Sequence, residues 1–295
     1  MGTHSSLMRK NYPLAFLIPA GIMLTVFFIA PTIMNFVYAF TDWSAFKNTI
    51  NFNGFDNFLS LFQNGILMKD IQITLFYAIC IAIFQNVFGL FLAVLLEKDT
   101  LLNRLARIMF FIPVIMSALA VGYIWQAVLK NSGALDQILS GIFGHSITTG
   151  LLANTHTAII TIAFVQGWKW MGLSMLIFLA GLKTIDSDVL EAAYIDGASS
   201  GQIFWKIKFP LLAPAFTFNV ATSLLGSLNG FDMVQAMTKG GPGGSTEILN
   251  IFIWRTFGQG LYAQSTTMSM ILFILVALIA LPVIYILRRR ERNIF

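Results

Sequence analysis

Three acidic residues, Asp186, Asp188 and Glu191, stand close together and are the first candidates for catalytic groups. Two neighbouring carboxylates can act as a general acid and a general base. They belong, however, to a polar stretch that also holds several lysines. A solvated, ion-paired surface explains this mixture better than an active site does, so we predict that the chain is not an enzyme.

The other reactive side chains are isolated from one another. The three histidines lie at positions 4, 145 and 156 without metal-ligand spacing, and the single cysteine, Cys80, excludes a disulfide framework. The stretch GGPGGS (240–245) lacks the Lys-Ser/Thr pair and the preceding strand of a P-loop, so it is interpreted as a turn. We predict no metal site and no cofactor in this chain.

The composition is that of an integral membrane protein. Of the 295 residues, 57% are hydrophobic and 11% are charged, and the mean hydropathy is +0.78. Soluble domains have about 25% charged residues. The net charge of +5 does not indicate nucleic-acid binding, because the basic residues flank the apolar runs, as they do beside membrane spans.

Six apolar stretches are long enough to cross a bilayer, which takes about 20 helical residues. They cover residues 13–40, 72–96, 107–128, 157–182, 209–230 and 266–287. The first is too long for a signal peptide and has no convincing cleavage site, so we expect it to be retained. The expected fold class is an all-α integral membrane protein with six transmembrane helices.

The distribution of Lys and Arg predicts the orientation of the spans. With a cytoplasmic N-terminus, twelve of these residues lie on the inner side and five on the outer side. Loops rich in Lys and Arg stay in the cytoplasm, so both termini are predicted to be cytoplasmic. The basic tail, 288–295, is interpreted as an anchor at anionic membrane lipid.

Three segments on the predicted outer side are expected to be ordered. Residues 51–62 contain a short helix with Asp56 as its N-cap, and residues 130–143 contain a second amphipathic helix. Residues 238–254 begin with a Gly-Pro turn and continue with a helical pattern.

The stretch EAAYIDGASSGQIFWKIKFPLLAP, residues 191–214, separates the fourth and fifth spans. It cannot cross the bilayer, because each of its four charges would cost about 2.5–3.5 kcal/mol at the centre of a membrane helix. We therefore place it in the cytoplasm. Two interpretations are open: an amphipathic helix that lies on the lipid headgroups, or a docking surface for another protein.

Local signals predict that this segment begins with a short helix. Asp188 is its expected N-cap, with Glu191 reaching back in a variant of the capping box. One face of this helix is formed by Leu190, Ala193 and Tyr194.

A second short helix is predicted to follow. Gly197 ends the first helix in the left-handed conformation. Ser199 and Gln202 then form a capping box, and Pro210 marks the start of the fifth span.

At these residues the sequence resembles the EAA motif of the permeases of ATP-binding-cassette (ABC) importers. That motif reads E-A-A, three residues, G, nine residues, I-x-L-P. Phe209 replaces the usual leucine, and residues 196–198, D-G-A, match the form typical of sugar permeases. The positions that match are Glu191, Ala192, Ala193, Gly197, Ile207 and Pro210.

Further stretches resemble the carbohydrate uptake permeases of the maltose type. Ser187 stands where that family usually has Pro, and the large outer domain and extra spans of the longer maltose permease are absent, which leaves a compact six-helix form. The similar stretches are residues 54–58, 110–125, 176–199 and 231–249.

The resemblance implies a type I ABC importer permease fold with a cytoplasmic coupling helix, in a bacterial or archaeal cell membrane. Residues 13–287 would form the permease domain, which includes the EAA loop at 183–209, between a cytoplasmic N-terminus (1–12) and the basic tail. The residues implied in ATPase coupling are Asp188, Leu190, Glu191, Ala192, Ala193, Tyr194, Asp196, Gly197 and Pro210.

The resemblance also implies partners. A second permease, usually a distinct homologue, completes the pathway, and two ATPase subunits, which bind ATP and Mg²⁺, grip the EAA loops. An extracytoplasmic binding protein delivers the sugar.

Two clusters could bind a sugar, because aromatic rings stack on sugar faces and polar side chains pair with hydroxyls. Lys169 could face a cavity, snorkel outward, or pair with Asp232, and the tryptophans could instead belong to an interfacial belt. The first cluster, within the fourth span, is Gln166, Trp168, Lys169 and Trp170. The second, after the fifth span, is Asn229, Phe231, Asp232 and Gln235.

The leading hypothesis is therefore a permease subunit for a sugar, in particular a di- or oligosaccharide. The alternatives are an ABC permease for another solute (a polyol, glycerol phosphate, an amino acid or a peptide) and a secondary carrier. The chain has no nucleotide-binding motif and no series of buried acids, so its energy must come from a partner.

Overall fold

The computed structural model describes residues 14–292, and these residues are mostly helical. Their only extended pairing is an isolated antiparallel bridge between Thr41 and Phe52. The all-α prediction is therefore confirmed. The helices are α1 Ile18–Tyr38, α2 Asp56–Gln63, α3 Ile66–Leu95, α4 Leu101–Ile115, α5 Ala118–Leu129, α6 Ala134–Phe143, α7 Ala158–Lys183, α8 Ser187–Ile195, α9 Ser200–Leu211, α10 Ala213–Leu228, α11 Asp232–Met237, α12 Leu249–Gly258 and α13 Tyr262–Arg292.

Four of these helices, α1, α3, α7 and α13, are each long and apolar enough to cross a membrane. Two bent pairs raise the number to six if each pair is one span: α4 with the helices of Ala118–Phe143, at 100°, and α9 with α10, at 64°. The predicted third span, 107–128, is thus two helices with a break at Met116–Ser117. Pro113 lies inside the last turn of α4, where its ring and missing N–H favour an interruption.

The chain divides into two compact units, and the smaller one comprises the described residues up to Asn64 together with Ile253–Ile271. Asn57 organises its first loop by donating from Nδ2 to the carbonyls of Ala39 and Thr41, at 3.0 and 2.8 Å. Helix α2 begins at Asp56 with Phe55 as its N-cap residue and no side-chain cap. The prediction that Asp56 is the N-cap was therefore wrong by one residue.

The same loop is fixed by one carboxylate. Asp42 accepts a hydrogen bond from the Lys47 ammonium and one from the Asn51 backbone N–H, both at 2.7 Å. These bonds stabilise the charged form and lower the pKa of Asp42 from 3.8 to about 2.

The larger unit comprises Gly65–Phe252 and the described residues from Leu272 onward, and α7 is its central helix. Small residues let neighbouring backbones approach α7 closely, as is usual where lipid removes the hydrophobic drive for helix association. At Gly172 an added Cβ would lie 2.1 Å from the Phe110 carbonyl oxygen of α4. Two buried apolar clusters include residues of α7. Their members include Tyr77, Ile81, Ile162 and Val165 in one cluster and Met175, Phe178, Leu182 and Leu212 in the other.

Candidate functional site

A cavity of about 160 Å³ opens between α3, α7 and α10. Helical periodicity explains which side chains reach it, because residues three or four apart share a face. Gln166, Trp170 and Leu173 form such a face on α7. The complete lining is Ile81, Gln85, Gln166, Trp170, Leu173, Thr222, Ser223, Gly226 and Ser227.

Hydrogen bonds between the helices fix Gln85, which lines the cavity, and its neighbour Asn86. Gln85 donates from Nε2 to Ser174 Oγ at 2.9 Å, and Asn86, beside it, donates from Nδ2 to Ser223 Oγ at 3.0 Å. Gln166 differs from them, because its buried Oε1 accepts no hydrogen bond from the described residues. A buried acceptor without a partner is costly, so a ligand hydroxyl or a water at this position would relieve that cost.

The chemistry of the lining is neutral. Amides and hydroxyls provide both donors and acceptors, the indole of Trp170 provides an apolar face, and none of the lining residues is charged. Such a surface can hydrogen-bond and stack against a polyhydroxyl compound. It offers no counterion for a phosphate or a carboxylate.

Within the first predicted cluster, the structure separates the residues that line the cavity from those that do not. Gln166 and Trp170 line it. Trp168 packs edge-on against Trp125, with 5.3 Å between ring centroids.

Lys169 is buried, with only 2% of its surface exposed. Its ammonium donates to the Val114 carbonyl at 3.1 Å and lies 4.4 Å from the ring centroid of Trp170. Val114 lies at the C-terminal end of α4, where carbonyls lack helical partners and a cation is favourable. Lys169 thus neither snorkels outward nor forms an ion pair with Asp232, and its bond to Val114 lies beside the break between α4 and α5.

The second predicted cluster lies beyond the C-terminal end of α10 and outside the cavity lining. Asn229 donates back to the Leu225 carbonyl at 2.9 Å. Phe231 and Asp232 lead into α11, on which Gln235 is half-buried. The structure does not bring these side chains together with Gln166 and Trp170 around one space.

Sequence reasoning missed the contributions of α3 and α10 to the cavity. On α10 there was a usable signal: small or polar residues recur at helical spacing along an otherwise apolar run. On α3, Gln85 and Asn86 are two amides inside an apolar span. Polar side chains within a membrane are energetically costly and usually mark a functional site. The residues missed on these two helices are Ile81, Gln85, Thr222, Ser223, Gly226 and Ser227, and Leu173 of α7 was missed as well.

The segment between the fourth and fifth predicted spans begins with α8. Its N-cap is Asp186, whose carboxylate accepts from the Asp188 N–H at 3.0 Å. The prediction that Asp188 is the N-cap was wrong by two residues, because Asp186 has the extended backbone of a cap residue whereas Asp188 is already helical. Glu191 consequently lies in the middle of α8 and is too far along the helix to complete a capping box.

The end of α8 is as predicted. Gly197 has φ +80°, a conformation that side chains disfavour. The Gly197 N–H donates to the Tyr194 carbonyl at 3.1 Å, and the Ala198 N–H donates to the Ala193 carbonyl at 3.0 Å. These two bonds form a Schellman motif and confirm the left-handed turn.

The start of α9 is also as predicted, since Ser199 and Gln202 form a complete capping box. Helix α9 then runs through Pro210, and the chain changes direction at Leu212, two residues after the predicted position. Pro214 occupies the first turn of α10, a position that tolerates proline.

The surface of α8 is open. Ile195 is 86% exposed, Tyr194 is 58% exposed, and Glu191, Ala192 and Asp196 are exposed as well. Leu190 and Ala193 are half-buried. Large apolar side chains exposed together on a short connecting helix are typical of a surface that contacts another protein.

Comparisons with known proteins agree with these features. Residues 85–294 match the model of the family described as "Binding-protein-dependent transport system inner membrane component". The chain is 30% identical to the probable starch degradation products transport system permease protein AmyD of Thermoanaerobacterium thermosulfurigenes, over 94% of each chain. It is also 30% identical to the multiple sugar-binding transport system permease protein MsmF of Streptococcus mutans, over 98% of this chain and 99% of the relative.

The fold is found in a solved structure as well. A chain of a bacterial ABC transporter involved in the import of the acidic polysaccharide alginate superimposes with a TM-score of 0.82. The two chains are 22% identical, and the match covers 97% of this chain and 98% of the other. By this fold and the family match, the chain belongs to the binding-protein-dependent transport system inner membrane components, the permeases of ABC importers.

Proposed function

We propose that this chain is the permease subunit of an ABC importer that carries a neutral sugar, of di- or oligosaccharide size. The observation that carries the proposal is the cavity, in which neutral hydrogen-bonding groups surround the face of Trp170 and the unpartnered Oε1 of Gln166. The names of AmyD and MsmF, which refer to starch degradation products and to multiple sugars, support the same class of solute. The uncharged lining disfavours glycerol phosphate and amino acids.

The size of the cavity supports a shared pathway. Sites for small organic molecules usually measure about 300–1,000 Å³, whereas this cavity measures about 160 Å³. We infer that this chain lines one side of the pathway and that a second permease, a distinct homologue, lines the other. An extracytoplasmic binding protein would deliver the sugar, as the name of the family indicates for its members.

The α8–α9 segment supplies the proposed contact with two ATPase subunits, which would bind ATP and Mg²⁺. Its exposed surface carries Glu191, Tyr194 and Ile195, and its shape is fixed by the turn at Gly197. The chain itself would be a transport subunit without catalytic activity. The proposed orientation, with both termini and this segment cytoplasmic, has the basic tail at the inner lipid surface.

The sugar site is tested in the complete importer, reconstituted with its partner permease, ATPases and binding protein. Uptake of a panel of radiolabelled neutral mono- to tetrasaccharides is measured for wild type, Gln166→Ala, Trp170→Ala and Gln259→Ala. We expect the first two substitutions to raise the half-saturating sugar concentration about tenfold, the effect of losing about 1.4 kcal/mol of binding. Gln259 is exposed and is not one of the residues that line the cavity, so its variant is the matched control.

Unchanged half-saturation in both cavity variants would refute the site. Copurification of the tagged chain without any ATPase would refute the importer.

Coupling is tested by a matched pair of glycine substitutions. Gly197→Ala places a side chain at φ +80°, which costs about 1–2 kcal/mol, whereas Gly201→Ala on α9 has open space around it. We expect Gly197→Ala to lower the sugar transported per ATP hydrolysed while Gly201→Ala leaves that ratio unchanged. An equal ratio in the two variants would show that the shape of the turn does not matter for coupling.

A further inference from the structure

An ion pair joins the α8–α9 segment to the end of a different span. The Lys208 ammonium donates to both carboxylate oxygens of Glu97, at 2.7 and 2.8 Å. The two side chains are 18% and 30% exposed, and the residues are 111 positions apart in the sequence. Ion pairs that are exposed on both sides contribute little, but this one is partly buried and is therefore screened less, and its ammonium contacts both carboxylate oxygens.

The loop that contains Glu97 is held by contacts with α4. Glu97 lies two residues after the end of α3, where Arg107 of α4 donates from Nε to the Leu96 carbonyl at 3.1 Å. Asp99 follows in the same loop and binds Arg104 at 2.8 Å. The hydrogen bond from Arg104 lowers the pKa of Asp99, so these cation contacts persist at neutral pH. The carboxylate of Glu97 therefore moves together with the ends of α3 and α4.

Lys208 lies on the connection between the exposed turn at Gly197 and the wall of the cavity. It ends the π-helical turn Phe204–Lys208 within α9, four residues before the bend at Leu212. Beyond that bend, α10 continues to Ser223 and Ser227 in the cavity. A displacement of α9 thus reaches α10 through the backbone itself.

We propose that the Glu97–Lys208 ion pair transmits the same displacement to α3, so that both residues act as positioning residues for alternating access. The cavity residue Gln85 lies twelve positions before Glu97, about 18 Å along the helix at 1.5 Å per residue. One segment would then drive two walls of the cavity, α10 covalently and α3 through the ion pair. This inference rests on the proposed coupling role of α8–α9.

The chain contains its own reporter for α3. Cys80 is its single cysteine, is half-buried, and immediately precedes Ile81 in the cavity wall. Its alkylation rate by N-ethylmaleimide is measured in the complete importer, with cysteine-free partner subunits, before and after ATP and vanadate are added. The variants are Lys208→Met, Glu97→Gln, the conservative Lys208→Arg, and Lys206→Met.

Lys206→Met is the matched control, because Lys206 lies on the same turn, is exposed, and takes part in none of the ion pairs among residues 14–292. In wild type we expect ATP and vanadate to change the alkylation rate at least about fivefold, within the range usual for coupled sites. Lys208→Met and Glu97→Gln should reduce this change to less than about twofold. Lys208→Arg should preserve it, because a guanidinium also pairs with both carboxylate oxygens, and Lys206→Met should preserve it too.

The proposal is overturned if wild type shows no ATP-dependent change at Cys80. It is equally overturned if Lys208→Met and Glu97→Gln keep the change, or if Lys206→Met abolishes it as well. Should the two single variants assemble poorly, Lys208→Arg decides: loss of the change in a well-assembled Arg variant contradicts the ion pair. Failure of the proposed function is distinguishable, because a wild-type preparation would then contain no ATPase and hydrolyse no ATP.

Discussion

Gly172→Ala should separate two spans that now touch through their backbones. The added methyl would lie 2.1 Å from the Phe110 carbonyl oxygen and 3.0 Å from the Phe111 Cα. Both are main-chain atoms of α4, and they cannot rotate away as a flexible side chain can. Helices α4 and α7 must therefore move apart by more than about 1 Å to restore ordinary contact distances.

The cost follows from what this separation breaks. Overpacking of a close-packed interior costs about 1–3 kcal/mol. Lys169 lies one turn before Gly172 and donates to Val114 at 3.1 Å, so the same separation stretches that bond, worth about 1.5–3 kcal/mol when the donor is charged. Replacing a glycine inside a helix by alanine stabilises the helix by about 0.5–1 kcal/mol, which offsets part of this loss. We expect the free energy of unfolding to fall by about 2–4 kcal/mol.

The assay is equilibrium unfolding of the purified chain in mixed detergent and denaturing-detergent micelles, followed by tryptophan fluorescence. Gly226→Ala is the control, since the same methyl on α10 meets no atom within 4 Å. It should unfold at the wild-type denaturant fraction or slightly above it. A Gly172→Ala protein within about 0.5 kcal/mol of wild type, the scatter of neutral substitutions, would refute the reasoning from backbone contact, as would an equal loss in Gly226→Ala.

Two further outcomes follow from single contacts. Lys169→Met should lower the free energy of unfolding by about 1–3 kcal/mol, because the Val114 carbonyl loses its donor. It should leave the half-saturating sugar concentration within about twofold of wild type. A large change in sugar affinity with unchanged stability would mean that Lys169 contacts the solute. Asp42 has its pKa lowered to about 2 by Lys47 and Asn51, so its stabilisation of the loop is complete above about pH 4 and is lost as the pH falls through about 2. Pepsin cleavage of residues 42–53 should rise over that range in wild type, and at pH 4 Asp42→Asn should already be cleaved faster; pH-independent cleavage would contradict the assignment.

Hydropathy predicted the spans well, because span length is set by bilayer thickness and not by packing. It could not predict that the third span is broken at Met116–Ser117. Both halves are apolar, Pro113 lies only in the last turn of α4, and the bond from Lys169 to Val114 at that end joins residues 55 positions apart. A bond of that kind between distant residues leaves no periodicity in either local sequence.

The α8–α9 segment was more predictable than the cavity for the same reason. A left-handed Gly197 and the Ser199–Gln202 capping box are local structures, determined by residues within one turn. The cavity is assembled by three helices, so only the members with a conspicuous chemistry, Gln166 and Trp170, could be named beforehand. The second predicted cluster follows the end of α10 at Leu228, and its side chains are not among those that line the cavity.

The walls of the cavity are themselves tied together. Gln85 joins α3 to Ser174 of α7, Asn86 joins α3 to Ser223 of α10, and Asn219 of α10 donates to the Ser174 carbonyl at 3.3 Å. Hydrogen bonds between membrane helices are worth about 0.6 kcal/mol on average and up to about 1.7 kcal/mol each. Sliding one wall past the others would break two or more of them at once, whereas moving all three together would break none. A displacement that reaches both α3 and α10 therefore also moves α7. The three helices that line the cavity then move together, and the hydrogen bonds between them stay intact.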